Sequence, residues 1–95
     1  MIAAERSNQK VLVEIKSFLA ESIPNEFHTA LGQYLDYELG LEDFDAERIA
    51  FLAIPDKIFD KIQKIPFLIK SLTRYKVKVI TFDPISETIK AWHLY

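Results

Sequence analysis

The first clear pattern along the chain is alternation. In "KVLVEIK", residues 10–16, Val11, Val13 and Ile15 fall on one face of an extended segment, and Leu12, Glu14 and Lys16 fall on the other. Together with "IAAER" (2–6) and the turn-like "SNQ" between them, this predicts an antiparallel hairpin. "SIPNEFHTALGQYLDYELGLEDF" then changes period. Phe27, Ala30, Leu31, Tyr34, Leu35 and Leu41 gather into a broad apolar arc, with Thr29, Gln33 and Asp36 opposite. The spacing predicts a helix of about four to five turns, with Asn25 after Pro24 as its N-cap. Glu38 falls inside the apolar arc. A buried carboxylate there must meet a Lys or Arg or stay at a wet rim.

"ERIAFLAI" (47–54) is apolar on both faces after its first residues, the mark of a central strand covered from both sides, and Pro55 ends it. "DKIFDKIQK" and "IPFLIKSLTRY" read as two short helices, the second set by Pro66 near its first turn. "KVKVITF" and "TIKAWHLY" read as closing strands joined by the "DPIS" turn. The order ββαβααββ implies an α/β or α+β domain with a mixed β-sheet and flanking helices. Ninety-five residues suffice for one domain, spanning 1–95, that buries roughly 60 to 65% of its unfolded surface.

Charge changes the picture more than composition does. The net charge is −2, which argues against indiscriminate nucleic-acid binding. Yet residues 1–48 carry ten acids against four bases, and residues 49–95 carry four acids against eight bases. Lys57, Lys61, Lys64, Lys70, Arg74, Lys76 and Lys78 cluster in the second half and could receive phosphates or an acidic partner. Because aromatic residues do not interleave with them, the plainer reading is a set of solvated helix and strand faces. The chain has no cysteine, which excludes disulfides, zinc-thiolate sites and a cysteine nucleophile. No apolar run reaches the roughly 18 residues of a membrane span, and "MIAAERSNQK" lacks the features of a signal peptide. A cytoplasmic location without membrane contact is expected.

Longer phrases carry a resemblance. "VEIKSF", "EFHTALGQYL" and "IPFLIKSLTRYKVKVITFDPISETIKAW" resemble the XisH family, named for an excision-controlling factor of the fdxN element in cyanobacteria. The resemblance implies a restriction-endonuclease-like fold, whose sites place an acidic residue on one strand and a Glu-x-Lys pair on the next. Glu14 and Lys16 match that pair. A carboxylate there would hold a hard divalent cation, and a lysine two residues on would orient water or offset phosphate charge. Some related nucleases of the RecB type add a Gln-x-x-x-Tyr element on the following helix, and Gln33 and Tyr37 have that spacing.

The family's preceding elements, which supply the first metal-binding aspartate, have no counterpart here, so the sequence reads as an N-terminally truncated member. Glu14 is then the one family carboxylate, and no cofactor is required; Mg2+ would enter only at a complete nuclease site. The expected function is that of an accessory factor in DNA-element excision, working with an XisI-like protein, with DNA as a further contact, and as a homo-oligomer. The alternatives are a metal-dependent nuclease using Glu14 and Lys16, and a pure interaction module. For Glu14 and Lys16 an exposed salt bridge of about 0.2 to 1 kcal/mol is the bland reading; for Gln33 and Tyr37 it is a helix edge capping the core. His28 and Trp92 read as structural or interfacial, and His93 carries no partner signal.

Overall fold

The computed structural model describes the backbone of residues 2–6, 9–15, 22–44 and 46–95, and the side chains of 22–44 and 46–95. Its elements are β1 (Ile2–Arg6), β2 (Gln9–Ile15), α1 (Ile23–Phe44), β3 (Arg48–Pro55), α2 (Asp56–Gln63), α3 (Pro66–Arg74), β4 (Lys78–Asp83) and β5 (Thr88–Leu94). The expected order ββαβααββ is the observed one. The five strands form one mixed sheet in the order β1-β2-β3-β4-β5, antiparallel at both outer pairs and parallel at β2–β3 and β3–β4. β3 is therefore the central strand, as its unbroken apolar run requires.

This order explains where the core sits. A sheet that advances in one direction through two crossovers of the usual right hand places every crossover helix on the same face. Accordingly Phe27, Leu31 and Tyr34 of α1, Phe59 and Ile62 of α2, and Leu68 and Leu72 of α3 share one cluster with Leu52, Ile54 and Val79. The alternate positions, Phe51, Ala53 and Ile80, form a smaller cluster on the other face with Ile49, Phe82 and Trp92. Trp92 meets Phe51 edge-on at 5.0 Å within this second cluster.

The long helix departs from its sequence reading at both ends. α1 has 22 residues, about six turns rather than four to five. It begins before Asn25, whose own N–H donates to Ser22 Oγ at 3.4 Å, so Ser22 and not Asn25 holds the capping position. Pro24 is tolerated in the first turn because its missing N–H would have no intrahelical partner. At the other end the helix runs through Gly40 because Leu41 still packs on the core. α3 starts at Pro66, as expected. The β4–β5 turn is fixed by Asp83, whose carboxylate accepts the Ile85 N–H at 2.9 Å and is held below the usual carboxylate range by that bond first. Among the described residues, no helix is long and apolar enough to cross a membrane.

Candidate functional site

Glu14 lies in β2, the strand beside β3, and its backbone pairs with Leu52. β2 is interior to the sheet, and the chain leaving its C-terminal end leads to α1. Gln33 and Tyr37 stand one turn apart on one flank of α1, and both are half-buried. They border the buried stripe of Phe27, Ala30, Leu31 and Tyr34 without belonging to it. The side chain of Glu14 and the whole of Lys16 lie outside the described residues, so the meeting of the two pairs does as well. Among the described residues, no three His, Cys, Asp or Glu side chains gather at metal-binding distance.

A second constellation sits in the same turns of α1, one residue further along the chain, at Tyr34 and Glu38. Tyr34 is fully buried, and its O–H donates to Glu38 Oε2 at 3.0 Å while its oxygen accepts the backbone N–H of Lys78 at 3.1 Å. The Lys78 ammonium lies 3.9 Å from the same carboxylate oxygen, both side chains being about one-third exposed. Burial pushes the Tyr34 hydroxyl far above its ordinary range; the Lys78 N–H opposes the shift and the Glu38 charge adds to it. Held neutral, the hydroxyl serves as donor and acceptor at once, tying α1 to the start of β4. Glu38 thus has a hydrogen-bond donor and a cation at a wet rim, as its place in the apolar arc demanded.

That rim is one wall of an open cleft of about 680 Å³ between the second half of α1 and the starts of β3 and β4. Leu35, Leu41, Glu38, Glu42, Arg48 and Lys78 line it, whereas Gln33 and Tyr37 do not. The cleft and the expected site are therefore separate among the described residues. Sequence reasoning flagged Glu38 but not its partners. The Tyr34/Glu38 spacing of one helical turn was a usable signal; Lys78, in a distant strand, was not. The two histidines are packing residues: His28 meets Phe67 edge-on at 6.2 Å, and His93 lies against Phe59 at 4.7 Å.

The sheet order and three-helix layer belong to a recognisable lineage. The family model for the XisH protein matches residues 1–90. The chain belongs to the XisH family. Among solved structures, it resembles a fdxN element excision controlling factor protein from Anabaena variabilis, with a TM-score of 0.88 and 37% identity over 95% of this chain and 70% of that one. It also resembles an XisH family protein from Nostoc punctiforme PCC 73102, with a TM-score of 0.89 and 37% identity over 95% of this chain and 71% of that one. A search of the curated proteins finds no match. At this identity the XisH assignment covers sequence and fold together, and the fold class is that of a mixed α/β domain.

Proposed function

We propose that this XisH family member is an accessory factor in the excision of a DNA element, acting through protein and DNA contacts without catalysis of its own. The observation that carries the reading is its likeness, across 95% of its length, to a protein described as a fdxN element excision controlling factor. An XisI-like companion and self-association belong to the same reading. The test is an excision assay in cells carrying a recombinase and its element, with and without this chain and an XisI-like protein. We expect excision frequency to fall at least about tenfold when the chain is omitted, the equivalent of about 1.4 kcal/mol in an equilibrium. Unchanged excision without it would reject the reading, and sedimentation of the co-expressed proteins reads the companion and the self-association.

A nuclease is the second reading, favoured by the interior placement of β2 and by the shared flank of Gln33 and Tyr37. It relies on a restriction-endonuclease-like ancestry. Magnesium gives up its waters reluctantly and needs more than one protein oxygen, and the sequence sets a lysine two residues after Glu14. We therefore expect the chain by itself to cleave neither single- nor double-stranded DNA at millimolar magnesium or manganese. Cleavage that Glu14→Ala and Lys16→Ala both abolish would reverse the ranking of the two readings.

A further inference from the structure

We propose that the outer surface of α2 and α3 is a phosphate-contacting face that docks on double-stranded DNA. Both helices turn their apolar residues, Phe59 and Ile62, Leu68 and Leu72, onto the sheet. Their cations are left on the far side. Lys57, Lys61 and Lys64 recur at i, i+4 and i+7 along α2, and Lys70 and Arg74 stand one turn apart on α3, opposite its buried stripe. Lys76 follows directly, and all six are exposed.

Their state separates them from an ordinary solvated face. Among the described residues, none of the six has a carboxylate within 4.0 Å, although Asp56 and Asp60 are on the same helix. Lys78, the remaining cation of the cluster, is the one drawn to a carboxylate, Glu38, at 3.9 Å. Six unpaired cations on two adjoining helices and the residues just past their C-terminal ends repel one another, and a polyanion relieves that repulsion by displacing its own condensed counterions.

The composition of the face selects the kind of polyanion. Protein interfaces are depleted in lysine at their centres and are built around buried apolar or aromatic anchors. The exposed residues of α2 are Lys57, Asp60, Lys61 and Gln63, with no apolar residue among them. On α3 the exposed Phe67 shares the flank of Lys70 and Arg74 but rests edge-on against His28, and the half-exposed Tyr75 lies between Arg74 and Lys76. A lysine-rich surface whose α2 part has no exposed apolar residue, with Thr73 as an added hydroxyl, matches contacts to a phosphate backbone, which position a protein without reading sequence. The choice of DNA as the polyanion rests on the excision reading above.

The test is the salt dependence of binding of the full chain to a short random-sequence duplex, by fluorescence anisotropy between about 50 and 200 mM salt. Each phosphate contact adds about 0.9 to the slope of log affinity against log salt. The joint substitution Lys61→Ala, Lys64→Ala, Lys70→Ala and Arg74→Ala should flatten that slope by about three to four and weaken binding at low salt at least about tenfold. Lys90→Ala, on β5, should leave it unchanged. The α2 pair and the α3 pair, each made separately, should each account for about half of the loss; circular dichroism confirms the fold of every variant. An unaltered slope in the pairs, or no binding by wild type at about 50 mM salt, would overturn the proposal. So would tighter binding to polyglutamate than to the duplex, which would assign the face to an acidic protein. Excision measured with the same variants keeps the two ideas apart. Wild-type excision with an unaltered slope removes only the docking face, and no effect of the chain on excision removes only the accessory role.

Discussion

Replacing Tyr34 with phenylalanine should destabilise the domain by about 1 to 3 kcal/mol, although only one oxygen atom is lost. The ring can stay where it is in the core; the hydrogen bonds cannot. Without the hydroxyl, the Lys78 N–H loses its acceptor at the start of β4 and Glu38 loses its donor. For a domain of this size, each kcal/mol lowers Tm by about 4 to 8 °C. Tyr34→Ala adds a cavity at a fully buried site, and the loss should reach at least about 3 to 5 kcal/mol. Glu38→Gln keeps an acceptor for the hydroxyl and removes a part-exposed charge, so it should cost no more than about 1 kcal/mol.

The same hydroxyl gives the stability a pH signature. Its folded-state pKa is raised above the ordinary value of 10.0. The neutral form is therefore favoured by folding, and the contribution is complete below pH 10 and is lost as pH rises from there through the folded value. Tyr34→Phe should be less stable than wild type at neutral pH but should decline less steeply above pH 10. Denaturant titrations at neutral and alkaline pH measure both effects. A phenylalanine variant within about 0.5 kcal/mol of wild type would mean that the hydroxyl bridges nothing that matters to folding.

What could be read in advance follows from which signals are local. The strands of β2 and β3 announce themselves by alternation and by an unbroken apolar run, and Pro66 marks the start of α3 because a proline at the first helical position sacrifices no bond. Ser22 and Asn25 are both good capping residues, and the structure seats the cap on Ser22 because a helix accepts Pro24 within its first turn. The run of α1 past Gly40 was legible in Leu41's place in the apolar arc, and the contact of Leu41 with the core outweighs the glycine's unfavourable propensity of about 1 kcal/mol.

The placement of all three helices on one face came from strand order and crossover handedness, which no single segment displays. The site divides in the same way. Gln33 and Tyr37 share a flank because one turn of helix puts them there, a purely local fact. Glu38 was conspicuous for its place in the arc, but its cation comes from β4, a separation along the chain that hides the pairing. The basic face shows the converse. Its six residues were visible in sequence, and only the packing of α2 and α3 shows that they share one outer surface with no carboxylate in reach among the described residues.

The central strand should be the least forgiving place to alter the protein. Leu52 is fully buried in the helix-side cluster, and its backbone pairs with Glu14 on one side and Val79 on the other. Leu52→Ala removes three carbons from a spot hemmed in by strand neighbours and helices, where little can collapse to refill the space. We expect a loss of about 2 to 5 kcal/mol, set against a total stability of about 5 to 15 kcal/mol for a domain of ordinary stability. Tm should drop by about 8 to 40 °C. Phe44→Ala supplies the contrast: that ring is larger, but it is 89% exposed at the end of α1, and its removal should change stability by no more than about 0.5 kcal/mol. Because a less stable chain is less abundant in its folded form, Leu52→Ala should also lower activity in the excision assay while every candidate site residue is intact. Thermal unfolding of the two variants settles the structural half. Equal losses for Leu52→Ala and Phe44→Ala would show that β3 is not the centre of the core.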